Sequence, residues 1–360
     1  MKKLLRDLFF VFIPLIALYL VNSVSVFLWP HLLTNKVFEN MQNEKVSYTP
    51  PNMDVSLIIN KCIEDGPKYD TIIIGSSNVK QFCANMLGIE GTYMNMGVSA
   101  PEFGDIIGIW ENIKDSGKIP SRMVIGLDSW YMDENRSATR YERNWYNSYA
   151  TYANANFGLN LEMKNHFIED IRFLSSSDFF MNSIEKISQS QALFGSVGIA
   201  DEIPLKSGIA LMPDGSMLYP ADYIDSTDDA LLRAYTELPS LQYTIWTIVS
   251  PVRIALLWTL LSDIQSYGVD IVLYLSPAHP LIYDAYVDPP ESYTSFTDLE
   301  ERYQSIADSL DIPIVGSFNP YKCCVIAEDF IDARHLNTLT VARFADEIYN
   351  SFSNIATSDD

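Results

Sequence analysis

The chain has 360 residues, of which 48% are hydrophobic and 12% aromatic. That is enough to bury a sizeable core, in one large or two modest domains, and it excludes global disorder. A formal charge of −22 excludes nucleic acid as the natural partner, because phosphates would be repelled.

The first residues, Met1-Lys2-Lys3-Leu4-Leu5-Arg6-Asp7, are basic, and the stretch from Leu8 to Trp29 then carries no charged side chain. Those 22 residues can cross a hydrocarbon core of ~30 Å as a helix. Trp29 falls where an interfacial aromatic belongs, and the basic start predicts an N-terminus inside and a main domain outside. A cleaved signal peptide is the alternative. Its apolar region would be shorter, and no clear small-x-small cleavage site follows. The expected organisation is therefore an anchor over 1–30 and a juxtamembrane stalk over 31–69, which holds some helix and ends in Glu64-Asp65-Gly66-Pro67. A large domain over 70–352 and an acidic tail over 353–360 follow.

The four cysteines, Cys62, Cys83, Cys323 and Cys324, lack metal-ligand spacing, and no paired His accompanies them. A Cys62–Cys83 disulfide is permitted outside the membrane, though spacing does not fix connectivity. The adjacent Cys323-Cys324 reads as a pair of small buried apolar residues.

From Thr71 onward the pattern becomes regular. Short apolar runs at Thr71–Gly75, Tyr93–Gly97, Met123–Leu127, Asp270–Ser276 and Ile312–Val315 have strand length and end in turn formers. Helical periodicity fills Gly104–Asp115, Val252–Tyr267, Leu299–Leu310 and Thr338–Tyr349. The alternation predicts an α/β fold with a parallel sheet and helices on both faces. The stretch 133–250 breaks the rhythm with Asn, Ser, Tyr and the turn Pro213-Asp214-Gly215-Ser216. It reads as a helical insertion between the third and fourth core strands. The aromatics at its start, Trp130, Tyr131, Tyr141, Trp145, Tyr146, Tyr149 and Tyr152, either stack on sugar rings or pack the insertion onto the core. Packing is the reading favoured by their large buried area.

Chemistry concentrates at two distant places. Thr71-Ile72-Ile73-Ile74-Gly75-Ser76-Ser77 ends a strand in a Ser-bearing turn, and a helix is expected after it, which would point backbone N–H groups at a ligand. Asp332-Ala333-Arg334-His335 sets a carboxylate three residues before an imidazole. Hydroxyl, imidazole and carboxylate are the parts of a nucleophilic triad. Gly97, closing the second strand, permits the close backbone approach that an oxyanion-hole donor needs. His279, after Ser276-Pro277-Ala278, is the competing base or a pocket residue.

These positions together resemble the SGNH (GDSL-type) hydrolase superfamily. Gly75-Ser76-Ser77-Asn78 matches its first block with Ser76 in place of Asp, Gly97 matches the second, and Asp332-x-x-His335 matches the last. The resemblance covers roughly 71–128 and 270–349. It implies a flavodoxin-like three-layer fold, with Ser77 as nucleophile, His335 as base, Asp332 as its orienting acid, and Ser77 and Gly97 as oxyanion-hole donors. No metal or organic cofactor is expected. The third block departs: Gly126-Leu127-Asp128-Ser129 has Asp128 where the family has an oxyanion-hole Asn, and an ionised carboxylate there repels a developing oxyanion.

A membrane helix followed by an external SGNH-like domain also looks like the proteins that accompany membrane-bound O-acyltransferases in teichoic-acid and exopolysaccharide systems. That likeness implies serine acyl transfer or ester hydrolysis on a cell-surface glycopolymer. Its alternative is a non-catalytic glycan-binding or accessory partner of such an acyltransferase. A soluble-ester hydrolase is disfavoured by the expected anchor.

Overall fold

The computed structural model describes residues 12–13, 16–23, 29–48, 54–166, 197–199, 210–219, 248–287 and 295–358. Its centre is a five-stranded sheet built from β2 (Thr71–Gly75), β3 (Tyr93–Gly97), β4 (Arg122–Gly126), β8 (Asp270–Leu275) and β9 (Ile314–Gly316). Their spatial order is β3-β2-β4-β8-β9, and every neighbouring pair is parallel. This is the doubly wound order of a flavodoxin-like fold, in which β2 is flanked by the strands that follow it.

Side-chain alternation explains the layers. Ile72, Ile74, Met123, Ile125, Ile271 and Leu273 point into the main core, while Ile73, Val124, Val272 and Tyr274 point into a second core on the opposite face. The main core is covered by α2 (Val55–Asp65), α3 (Phe103–Ser116), α5 (Pro251–Ser266) and α7 (Ser295–Leu310), and the second by α8 (Thr338–Ser358). Strands buried on both faces read as near-continuous apolar runs, which is why they were legible.

Local chemistry sets the helix ends. Asp54 caps α2 by accepting the Ser56 N–H, and Ser250 caps α5 ahead of Pro251. In α3 the Asp105 carboxylate reaches back to the Glu102 N–H at 2.8 Å, and left-handed Gly117 stops the helix.

Several expectations change. Residues 31–69 are not a stalk standing apart from the domain. Within α1 (Trp29–Gln42) and α2, Val37, Met41, Ile58, Ile59, Cys62 and Ile63 belong to the main core. Apolar residues at 58, 59, 62 and 63 form one helix face, and that face is buried against the sheet domain rather than left to solvent. The closing helix continues past Tyr349 to Ser358, with Phe352 buried, so 353–358 is helix rather than tail.

All four cysteines are free, and no Cys62–Cys83 bridge exists. Cys62 lies inside the core, whereas Cys324 is exposed rather than buried. Among the described residues no helix is long and apolar enough to cross a membrane. The expected anchor falls partly outside the described residues. Its described parts, 12–13 and 16–23, are helical, with Phe12, Ile13, Ile16, Tyr19 and Leu20 exposed.

The insertion does lie between the third and fourth core strands. Its aromatics pack: Tyr131, Trp145, Tyr149 and Tyr152 are in the main core, and Trp130, Tyr141 and Tyr146 lie against it. The Trp145 indole N–H donates to Asn60 Oδ1 at 2.8 Å, tying the π-helical turn Glu142–Tyr146 to α2. Sequence periodicity did not reveal a second, antiparallel sheet. It pairs β5 (Val197–Ile199), β1 (Lys45–Tyr48), β6 (Ala210–Leu211) and β7 (Met217–Leu218). Strands of two to four residues are too short to show an alternation.

Candidate active site

Ser77 opens a three-residue 3₁₀ turn, Ser77–Val79, at the carboxyl end of β2. The expected α-helix does not follow. The Ser76 hydroxyl accepts the Asn78 N–H at 3.2 Å, and Asn95 holds the next turn by donating Nδ2 to the Val79 and Phe82 carbonyls at 2.7 and 2.9 Å. Side-chain bonds of this kind offer the backbone an alternative to a helix. Val79 then sinks into the sheet end. A Cβ on Gly75, Gly97 or Gly126 would stand 3.1, 2.9 or 2.5 Å from its methyl groups, so glycine at the ends of three adjacent strands makes room for this turn.

His335 reaches the same place from the other end of the chain. Asp332 Oδ1 accepts the Arg334 and His335 N–H groups, each at 2.7 Å, and this turn aims the imidazole. The Ile331 N–H bonds the His335 carbonyl at 2.9 Å and closes the loop. Gln81, four residues beyond Ser77, donates Nε2 to the Leu336 carbonyl at 2.8 Å and locks the two loops together.

The result is a continuous chain. Asp332 Oδ2 lies 2.7 Å from His335 Nδ1, and His335 Nε2 lies 2.9 Å from Ser77 Oγ. A carboxylate can only accept, so Nδ1 carries the proton and Nε2 is left to accept the Ser77 O–H. Burial acts to raise the Asp332 pKa, but the bond and charge of His335 and the two N–H donors outweigh it. They hold the acid well below the usual carboxylate range.

The remaining candidates take different positions. His279 is not the base. Its Nδ1 accepts the Leu281 N–H at 3.2 Å, its ring packs on Phe330 at 4.8 Å, and burial pulls its pKa down to about 4. The Gly97 N–H donates to Asn95 Oδ1 at 2.9 Å, so this expected oxyanion donor is already engaged. Gly97 serves instead by lacking a side chain. The Ser77 N–H, first in its turn, has no intrahelical acceptor.

Asp128 follows β4 and is buried, with Asn78 Nδ2 donating to its Oδ1 at 2.7 Å. Its carboxylate is thus turned to Asn78, the residue after Ser77. Burial pushes its pKa up to about 6 against the opposing pull of Ser76, Asn78, Tyr131 and the charge of His335. The Tyr131 hydroxyl is buried beside this carboxylate.

Sequence reading missed the reach of the insertion. The β6–β7 hairpin caps the edge strand β3, where the Asn95 N–H donates to the Asp214 carbonyl at 2.8 Å. Gly215 has φ +79°, and a Cβ there would stand 2.2 Å from the Asn95 carbonyl oxygen. The Met217 N–H donates to the Lys80 carbonyl at 2.7 Å, and the Tyr219 ring lies 5.8 Å from the His335 ring. The turn signal Pro-Asp-Gly-Ser was visible, but not its partner. No protein-family model matches the chain, and no curated protein matches it.

Proposed function

We propose that the protein is an SGNH-type serine enzyme that transfers or hydrolyses an acyl group on a cell-surface polysaccharide. The observation that carries this reading is the unbroken Asp332–His335–Ser77 hydrogen-bond chain at the carboxyl edge of a parallel sheet, where α/β folds bind ligands. The Ser77 hydroxyl attacks the ester carbonyl while His335 Nε2 takes its proton. The tetrahedral oxyanion is held by the Ser77 N–H. Collapse expels the alcohol, which takes the proton back from His335. An acceptor hydroxyl, or water, then attacks the acyl-Ser77 ester with His335 again as base, and Ser77 is regenerated. Asp332 keeps the imidazole in the required tautomer and stabilises its charged form.

The polysaccharide target and the extracytoplasmic, membrane-anchored setting rest on the family resemblance and on the uncharged run Leu8–Trp29. A membrane-bound O-acyltransferase is the partner that resemblance implies. A second reading is a non-catalytic glycan-binding or accessory protein of the same assembly. Asp128, standing where an amide would complete the oxyanion hole, favours it.

Fluorophosphonate labelling separates the two. The wild-type protein should be labelled and folded Ser77→Ala should not. Labelling that persists in the Ala variant removes Ser77 as nucleophile. A silent wild type that binds purified polymer supports the accessory reading.

A further inference from the structure

Lys80 is an anomaly in this acidic chain. It lies one turn beyond Ser77, is only 3% exposed, and its Cγ stands 3.1 Å from where a Gly97 Cβ would be. A buried ammonium is costly without a counter-charge. Yet its one hydrogen-bond partner among the described residues is the hydroxyl of Ser99, at 2.8 Å. The charge that acts on it is another cation, Arg140. Burial and that guanidinium together pull the Lys80 pKa down to about 8, as expected for a cation with no acid beside it.

Arg140 is exposed, and although its backbone N–H donates to Asp105 Oδ2 at 2.8 Å, its guanidinium pairs with no carboxylate among the described residues. Its Nη1 donates to the Ala100 carbonyl at 3.3 Å. The neighbouring Arg136 shows what satisfaction looks like here: Nε and Nη2 form a fork on Glu102 at 2.9 and 2.7 Å. What sets Lys80 apart is that it is buried as well as unpaired.

Both cations bind the loop that leaves β3 at the edge shared with Ser77. Lys80 holds Ser99, Arg140 holds Ala100, and the Tyr141 hydroxyl donates to the Ser99 carbonyl at 2.9 Å. Ala100 is kept at φ +44°, a conformation that non-glycine residues adopt at a cost. The loop is therefore fixed, with Ser99, the residue bonded to the Lys80 ammonium, itself exposed.

We propose that Lys80 and Arg140 form an anion-recognition subsite beside Ser77 that takes a carboxylate or phosphate group carried by the substrate. This rests on the acyl-chemistry reading above and narrows its substrate class to anionic esters. Arg supplies a planar fork for the anion's oxygens and Lys a point charge, the pairing that carboxylate and phosphate recognition uses.

The test compares phenyl acetate, 4-carboxyphenyl acetate and 4-phosphonooxyphenyl acetate as substrates of the full chain. For the wild type, kcat/KM should be higher for at least one charged ester than for the neutral one, and the better of the two identifies the anion. In Arg140→Gln, that charged-to-neutral ratio should fall about fivefold or more, the scale of a lost charge-assisted hydrogen bond. Lys80→Met should lower the same ratio. Because Arg140 is exposed, its variant remains informative if the Lys80 variant does not fold. A ratio unchanged in Arg140→Gln overturns the subsite.

Binding decides independently of turnover. Ser77→Ala should bind benzoate or phenyl phosphate by calorimetry at low ionic strength, and adding Arg140→Gln should abolish that heat. If no ester is turned over and no fluorophosphonate reacts, the acyl reading fails while the calorimetry still supports or overturns the anion site.

Discussion

His335 Nε2 lies 2.9 Å from Ser77 Oγ although 258 residues separate them in the chain. Nothing local creates that contact. It depends on the Asp332 turn, the Gln81–Leu336 tie and the seat of Val79 among three glycines. His335→Ala should lower ester turnover by about 10² to 10⁴, the usual contribution of a positioned general base. The loop should survive, because Asp332 still accepts the Arg334 and residue-335 backbone N–H groups. Circular dichroism and thermal unfolding would check the fold, and single-turnover kinetics the rate. Unchanged turnover removes His335 from the mechanism.

Asp332→Asn tests the orienting acid. The amide can donate to Nδ1 and so favour the tautomer in which Nε2 carries the proton, which cannot accept from Ser77. A fall in kcat of about 10³ to 10⁴ is expected. A stability change also follows. The Asp332 pKa is depressed on folding, so its contribution is fully present above the unfolded value and is lost as pH falls toward the folded one. The Tm gap between wild type and Asp332→Asn should therefore begin to close below about pH 4, where an unfolded Asp titrates, and keep closing as pH falls toward the depressed folded value. A difference that persists undiminished at pH 2 to 3 would refute this assignment.

Asp128 has the opposite sign. Its pKa rises on folding to about 6, so the folded state binds the proton more tightly than the unfolded chain does. Stability from this group is present at acid pH and declines as pH rises from the unfolded value through about 6. Asp128→Asn carries no such term and can still accept from Asn78. Relative to wild type it should gain stability as pH rises from 4 to 7, by about 2–3 kcal/mol if the full shift operates. Urea melts at the two pH values read this directly. In ester turnover, the amide also removes a negative charge that sits against Asn78, the residue after Ser77. At pH 8 the rate should rise about tenfold or more over wild type, within the range of one oxyanion donor. Equal or lower rates at every pH would show that Asp128 does not limit the site.

How much of this was legible follows from physical range. The five core strands and their flanking helices announced themselves because buried parallel strands are continuous apolar runs and long helices repeat every three to four residues. Ser77, Asp332 and His335 were legible as residue types at suggestive turns. Three features were not. Asn95 lies inside an apolar strand, and only the fold shows its amide holding two carbonyls of the serine turn and occupying the Gly97 N–H. Gln81 looks like an ordinary polar residue until its partner 255 residues away is placed. Residues 31–69 carried a sound helical face, but a sequence does not say whether such a face meets its own domain or another surface. Lys80 is the clearest case: no sequence pattern distinguishes a buried lysine from a solvated one.

The seat of Val79 gives the last prediction. A Cβ added at Gly126 would stand 2.5 Å from Val79 Cγ1, while its next neighbour, the Gly75 Cα, is 3.7 Å away. The clash is therefore with one side chain, and that side chain belongs to the Ser77–Val79 turn. Gly126→Ala should destabilise by about 1–3 kcal/mol, as overpacking does, and should lower fluorophosphonate labelling by tilting Ser77 away from His335. Val79→Ala alone leaves a cavity at the ends of three strands and is also destabilising. Combined, the added methyl occupies the space that the valine methyls vacate, so the double variant should be less destabilised than the sum of the singles by about 1 kcal/mol or more. A urea double-mutant cycle measures that coupling, and labelling should recover with it. Strict additivity would mean that the serine turn is not seated by this contact, and that the alignment of Ser77 with His335 is set by the Gln81 tie and the Asp332 turn alone.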